Sequence, residues 1–358
     1  MKAGWQTKTL GEVIQLEYGK PLDQAERNPN GRYPAYGANG VKARTDKFYR
    51  DNASIVVGRK GSAGEITLTE EKFWPLDVTY FVEFDRQRHD LRFLYYLLVT
   101  LDLPSLAKGV KPGINRNEVY ALPVQVPPLP EQQRIVGILD QAFDGIATAK
   151  ANAKKNLQNA RALFESHLQS VFTQRGEGWV ETTVDKISTN LDSKRVPITK
   201  SDRKSGEYRY YGASGVVDYV ADYIFDGDTL LVSEDGANLL ARSTPIAFSV
   251  SGKYWVNNHA HILKFEHMAT QRFVEFYLGS IKLDEYITGA AQPKLNQKAL
   301  NSIPIPIPKS VEAQARIVES VELLQAETQR LESLYQRKLA ALAALKKTLL
   351  HQAFSGAL

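Results

Sequence analysis

A chain of 358 residues with 43% apolar and 24% charged side chains is long enough for two or three domains with cores of their own, which excludes the disordered class. No apolar run approaches the roughly 18 to 20 residues that span a bilayer, and Met1-Lys2-Ala3-Gly4-Trp5 leads straight into polar sequence without a leader, so a cytoplasmic protein with no membrane partner is expected. The absence of cysteine excludes disulfides, thiol nucleophiles and cysteine-ligated zinc, while a net charge of +5 invites a polyanionic partner.

Along the chain, residues 1–130 read as a first module. Its β-type runs at 54–58 and 79–84 are separated by the turn Gly61-Ser62-Ala63-Gly64, and a short helix is predicted over 91–100. The Pro-rich stretch 122–130 forces an extended backbone and acts as a stiff junction. Residues 131–175 form a long helix, free of Pro and dominated by Ala, Leu, Gln and Lys, with an apolar stripe through Ile135, Leu139, Ile146, Ala153, Leu157, Ala160 and Phe164. A second module over 176–308 has β-type runs at 229–233 and 261–265, a short helix at 271–279 and a second Pro-rich junction, Ile303-Pro304-Ile305-Pro306-Ile307-Pro308. Residues 309–358 form another long helix. Ile317, Val321, Leu324, Thr328, Leu331, Tyr335, Lys338, Leu342, Leu345 and Leu349 alternate in steps of four and three, a heptad seam.

The two modules say nearly the same thing. Trp5, Tyr36-Gly37-Ala38-Asn39-Gly40-Val41, Trp74 and Arg134-Ile135-Val136 recur as Trp179, Tyr211-Gly212-Ala213-Ser214-Gly215-Val216, Trp255 and Arg316-Ile317-Val318, with an offset that creeps from 174 to 182. Duplicate modules suit a ligand with two separated sites, such as duplex DNA. The expected architecture is α+β: two pseudo-repeated mixed α/β domains separated by two long helices forming an antiparallel coiled coil. Helices of about 40 residues, roughly 60 Å long, outrun a domain whose radius of gyration is about 14 Å, which favours pairing with each other over packing on their own modules. The charge is uneven: residues 1–130 carry 18 Lys and Arg against 15 Asp and Glu, and residues 176–308 carry 14 against 16. Phosphate neutralisation supplies most non-specific DNA affinity, so weak binding by the chain alone is expected.

The duplicated module, the Pro-rich exit into a helix opening Glu131-Gln132-Gln133-Arg134-Ile135-Val136, and the closing Leu350-x-x-Ala353-Phe354-Ser355-Gly356-x-Leu358 together resemble the specificity subunit of type I restriction–modification systems. The resemblance spans essentially the whole chain. It implies that each module is a target-recognition domain reading one half of a split double-stranded DNA sequence. It further implies that the chain is non-catalytic and assembles with two methyltransferase (M) subunits and with endonuclease–translocase (R) subunits, which bring S-adenosylmethionine, ATP and Mg. It also implies circular symmetry, with Phe354 corresponding to Phe172 and the C-terminus returning towards Trp5. The second helix departs from the pattern, opening Val311-Glu312-Ala313-Gln314-Ala315-Arg316, which leaves its register open.

Catalytic motifs are missing from the sequence: no Asn/Asp-Pro-Pro-Tyr/Phe, no cofactor-type glycine loop, no Gly-x-x-x-x-Gly-Lys-Ser/Thr. Glu70-Glu71-Lys72 has the Glu-x-Lys of nucleases without the preceding Pro-Asp. His259-Ala260-His261 places two imidazoles on one face of a strand, but without carboxylates at ligand spacing, so local pairing is expected and no metal or cofactor is assigned. The loops after equivalent strands are the reading candidates. Arg59, Lys60 and Ser62 stand opposite Glu234, Asp235 and Asn238. Arg or Lys donates to guanine, Glu or Asp accepts from cytosine and Asn pairs with adenine, although exposed turns are commonly charged in any case. A second matched pair of loops, residues 107–116 and 289–298, supplies Lys108, Lys111, Asn115, Arg116, Gln292, Lys294, Asn296 and Lys298 for bases or phosphates. Asn115 and Asn296 have an alternative role as caps of the following turn. The rival function is a duplicated coiled-coil scaffold that binds proteins.

Overall fold

The computed structural model describes residues 4–289 and 291–358, so the opening Met1-Lys2-Ala3 and Ala290 of the second polar loop lie outside the described residues. The chain forms two units, one of residues up to Lys154 together with Arg337–Leu358, the other Lys155–Gln336.

In the first unit the strands are β1 (Gln6–Thr9), β2 (Gln15–Tyr18), β3 (Tyr33–Gly37), β4 (Gly40–Thr45), β5 (Ile55–Gly58), β6 (Ile66–Leu68), β7 (Trp74–Pro75) and β8 (Thr79–Glu83). Helices α1 (Leu91–Thr100) and α2 (Arg116–Tyr120), strand β9 (Pro123–Val126) and the long α3 (Leu129–Thr173) follow. The second unit repeats the plan with β10 (Trp179–Thr183), α4 (Val184–Ile187), β11 (Thr189–Asn190), β12 (Ser205–Gly212), β13 (Gly215–Val220), β14 (Phe225–Asp226), β15 (Thr229–Ser233) and α5 (Asn238–Ala241). Next come β16 (Ala247–Val250), β17 (Lys253–Val256), β18 (Ala260–Lys264), α6 (Met268–Ser280), α7 (Gln297–Ser302), β19 (Pro304–Pro308) and the long α8 (Val311–Ser355).

The sheets repeat too. Order β2-β8-β5-β6 in the first unit matches β11-β18-β15-β16 in the second, and β4-β3-β7 matches β13-β12-β17-β14. The central strands β5 and β15 are buried along their whole length, which is why they read as unbroken apolar runs. The Pro-rich junctions are strands, not bare connectors: β9 pairs antiparallel with β1, and β19 with β10. Pro304, Pro306 and Pro308 sit at every second position of a two-stranded ribbon, so their missing N–H groups all fall on one side, and Ile303, Ile305 and Ile307 point into the core.

Each unit's core takes in parts of both long helices. Ile135, Val136 and Leu139 from the start of α3 and Leu350 and Ala353 from the end of α8 join the first unit's core, where Phe354 packs on Phe93 with ring centroids 5.2 Å apart. Leu168 and Phe172 from the end of α3 and Val318 and Val321 from the start of α8 join the second core, where Phe172 lies 5.3 Å from Phe273. Phe172 and Phe354 therefore play matching parts, as the circular symmetry implies. A fully buried leucine such as Leu139 contributes about 1.5–3 kcal/mol.

Within each unit the helices run antiparallel. In the first, Lys346 lies over the Phe143 ring at 4.8 Å and Arg134 donates to the Leu358 carbonyl. In the second, Asn156 donates to Tyr335 and Arg161 pairs with Glu332. Ala153 and Ala160 are buried, as expected of small residues at a close helix contact, and Thr328 is buried in the seam. Ile146, Leu157, Phe164, Ile317, Leu324, Leu331, Tyr335, Leu342 and Leu349 are half-buried. Two seam positions need correcting: Lys338 is exposed and Leu345 is 46% exposed, while Leu339 and Leu350 turn inward. An α-helix of 3.6 residues per turn drifts about 20° per heptad from a strict seven-residue repeat, so the buried face moves off the seam towards the C-terminus. Likewise Ile135, Leu139 and Val321 belong to domain cores, because the helix ends lie against their modules.

The altered opening of α8 leaves its register intact. Gln132 donates to the Pro127 carbonyl at 2.9 Å and Gln314 to the Pro308 carbonyl at 2.8 Å, so one extra residue is absorbed in the turn before α8. Ser310 caps that turn by accepting from the Ala313 amide. Among the described residues no helix is long and apolar enough to cross a membrane.

Candidate nucleic-acid interface

The two polar loops of each module, distant in sequence, are joined by matching backbone hydrogen bonds. In the first unit the Gly61 amide donates to Pro112 O at 2.9 Å and the Ile114 amide to Arg59 O at 3.2 Å; in the second, Gly236 donates to Pro293 O at 3.0 Å and Leu295 to Glu234 O at 2.8 Å. Lys60 bridges Gly113 as Asp235 bridges Lys294. Gly64 (φ +83°) seats the first loop, since a Cβ there would meet Pro104 N at 2.3 Å. One frame is thus built twice, and the side chains mounted on it differ.

On the first frame Arg59 and Arg116 both lie over the ring of Tyr18, each 5.3 Å from its centroid. Tyr18 is 47% exposed and packs on buried Tyr80, centroid to centroid 5.1 Å. Burial and the neighbouring Tyr18 hydroxyl push the Tyr80 phenol up to about 12, so it stays a neutral platform. Arg59 donates to Asp77 O at 2.7 Å, its Nε is buried without a hydrogen-bond partner, and no carboxylate pairs with either guanidinium among the described residues. Lys60 and Lys111 are exposed and Ser62 is half-buried. Lys108 pairs with Glu118 at 2.7 Å.

The second frame carries an ionic network at the same positions. Asp192 replaces Tyr18, His261 replaces Tyr80, Glu234 replaces Arg59 and Lys294 replaces Gly113. The fully buried His261 ring sits between Asp192 Oδ2 at 2.5 Å and Leu295 O at 2.7 Å. Arg195 reaches Glu234 at 2.6 Å and Asp192 at 3.5 Å, and Lys294 reaches Glu234 at 3.2 Å. Burial raises both carboxyls, but for Asp192 the His261 ring, the Ile262 amide and Arg195 outweigh it, and for Glu234 Arg195, His261 and Lys294 do, so both lie below their ordinary values. Asp192, Glu234 and His261 offer donor atoms within 4.8 Å of one another, a possible metal cluster by composition. Arg195 and Lys294 already supply its positive charge, so the donor set suits an ion-pair network better than a cation. The His259–His261 pair does not act together: His259 binds Asp235, and His261 binds Asp192.

Several expected acceptors are therefore committed internally. Glu234 is buried in its network rather than offered to a ligand, because three positive or polar partners converge on it from other segments. Asn238 uses its amide on Ser243 and both backbone groups of Thr244, closing its own loop. Asn115 and Asn296 cap α2 and α7, accepting from the amides of Asn117 and Ala299. Gln292, Lys298 and Lys294 are exposed at the frame's edge, and Arg116 is half-buried. Tyr18, Asp192, Arg195 and His259 escaped sequence reasoning as site residues; carrying the 174-residue offset back to the second strand would have set Tyr18 against Asp192.

A family model described as the type I restriction modification DNA specificity domain matches residues 2–159 and 176–338. A Mycoplasma genitalium protein described as a type I specificity subunit is 25% identical over 381 residues, covering 98% of this chain and 94% of that protein. A Haemophilus influenzae protein described as a type I restriction enzyme specificity subunit is 34% identical over 145 residues, and the match spans only 37% of its length and 40% of this chain. Among solved structures, one from a study of complex assembly and conformational transition of the type I R-M system aligns with a TM-score of 0.75 at 16% identity, covering 99% of this chain and 98% of that one. The HsdS subunit of Thermoanaerobacter tengcongensis aligns at 0.64 and 18% identity, covering 100% and 98%. At these identities the structural likeness establishes the fold.

Proposed function

Because the chain belongs to the type I restriction–modification DNA specificity family, we propose that it is the sequence-reading subunit of such a system, each unit recognising one half of a bipartite, asymmetric double-stranded DNA target. The observation that carries this reading is the twice-built frame with unlike side chains: equal backbone docking presents Arg59, Lys60 and Arg116 in one unit and a different set in the other. The chain itself is read as non-catalytic. Two methyltransferase subunits supply S-adenosylmethionine chemistry, and endonuclease–translocase subunits supply ATP- and Mg-dependent cleavage. Exposed leucines on the long helices, Leu163, Leu323, Leu334 and Leu345, support docking of such partners there.

Two outcomes test this. Purified alone, the chain neither methylates nor cleaves DNA, and its binding to the target is weak and falls steeply with salt; methyl transfer by the isolated chain, free of contaminating methyltransferase, overturns the assignment. In complex with the methyltransferase subunits, Arg59→Ala relaxes recognition in one half-site only. A guanine contact shows as a loss of roughly 1 to 3 kcal/mol of discrimination at one base pair, and a phosphate contact as a uniform loss of affinity with a shallower salt dependence. Methylation scored over a library of bipartite targets separates these, and an equal change in both half-sites refutes independent reading.

A further inference from the structure

The sequence suggests opposite chemistry in the two readers, cations at Arg59-Lys60 and acids at Glu234-Asp235. At the surface that reversal disappears. The Glu234 and Asp235 side chains are only 12% and 15% exposed, while Lys294 and His259 in front of them are 51% and 48% exposed. Glu234 is gripped by Arg195 at 2.6 Å and Lys294 at 3.2 Å, and both Asp235 oxygens lie 2.9 Å from His259 Nδ1. Each carboxylate is thus turned onto a partner that stands between it and the surface, so an approaching base meets Lys294 or His259 first. Lys294, by contrast, uses one ammonium hydrogen on Glu234 and keeps two. Asp235 holds the His259 proton on Nδ1, and the opposite nitrogen, Nε2, has no partner among the described residues. The first unit has Gly113 and Val78 at these two positions, backbone neighbours of Lys60 and Arg59. Each frame therefore ends in outward-facing nitrogen groups, mounted on the strand-connecting loop in the first unit and on the two segments beside it in the second.

We propose that His259 and Lys294 are the specificity-determining residues of the second unit, and that Glu234 and Asp235 are positioning residues behind them. Lys294 meets an acceptor on the DNA, a purine O6 or N7 edge rather than a cytosine amino group, and His259 presents Nε2 to the adjoining position. The inference rests on the DNA-reading function.

The test uses the full complex with methyltransferase subunits and a library of bipartite targets. Lys294→Ala and His259→Ala, both surface changes, are expected to lower discrimination in the second unit's half-site roughly fivefold or more at a base pair, leaving the other half-site as it was. Glu234→Gln and Asp235→Asn lower kcat/KM but keep the preferred bases. The double variant Glu234→Ala with Lys294→Ala discriminates no worse than Lys294→Ala alone, since a positioning residue acts only through its partner. Thermal unfolding of each variant separates lost recognition from lost folding. The proposal is overturned if Lys294→Ala and His259→Ala leave the half-site unchanged while Arg59→Ala alters its own. It is also overturned if Glu234→Ala relaxes a position that Lys294→Ala does not. If no variant in either unit changes any half-site, the DNA-reading function itself fails, and this inference with it.

Discussion

Insertion of four residues after Ala149, in α3 alone, abolishes methylation of the natural target by the assembled complex. Four residues add about one helical turn, roughly 6 Å. In the first unit α3 meets α8 through Phe143–Lys346 and Arg134–Leu358, and in the second through Asn156–Tyr335 and Arg161–Glu332. An insertion in one helix cannot satisfy both sets, so one must slip by a full turn. A matched insertion of four residues in α8 after Ala341 restores both. If the units read the same face of the duplex, the restored complex prefers a spacer longer by about two base pairs, since 6 Å is roughly two steps of 3.4 Å, with the sequence of each half-site unchanged. Methylation of libraries with varied spacers measures this. Full activity of the single insertion on the original spacer refutes the requirement that both sets of helix contacts be kept.

Asp192→Ala destabilises the second unit by about 3–5 kcal/mol, the usual result of removing one partner from a buried ion pair. The Asp192 side chain is 7% exposed and takes three partners, His261, Arg195 and the Ile262 amide, so its loss leaves Arg195 and the His261 ring inside without their anion. Chemical unfolding that resolves the units, with Trp179 and Trp255 as reporters, gives the value; a change below about 1 kcal/mol, as for an exposed pair, shows that the network contributes little. The same network has an acid signature. Asp192 and Glu234 lie below their ordinary values of 3.8 and 4.5, so the unfolded chain takes up protons before the folded one does. Their stabilisation is complete above that range and is lost as pH falls through the depressed values. The melting temperature of the second unit accordingly drops more steeply on acidification in the parent protein than in Asp192→Ala.

The architecture was legible in the sequence because it rests on repetition and periodicity. The duplicated Tyr-Gly-Ala-x-Gly-Val turns, the buried runs of β5 and β15, and two Pro-free stretches after Pro-rich strands each follow from local rules that a single chain displays. Even there, local reading faltered where geometry accumulates: Lys338 and Leu345 leave the seam because a 3.6-residue turn and a seven-residue repeat drift apart. The Pro-rich segments gave away their extended backbone but not their ladders, since pairing with β1 and β10 is a property of two distant segments.

The site was legible as two pairs of loops and illegible as chemistry. Sequence identified Arg59 and Glu234 as opposites on matched frames, and the frames do match in the backbone hydrogen bonds that tie each pair of loops together. What Glu234 can offer was decided by Arg195, His261 and Lys294, which come from three other segments and turn its carboxylate inward. The chain by itself thus determined the duplicated α+β plan, the two long helices and the location of the loops. Tertiary structure alone decided which side chains face outward, because a charge is made available or silent by its nearest partners, and those partners are neighbours in space rather than in sequence.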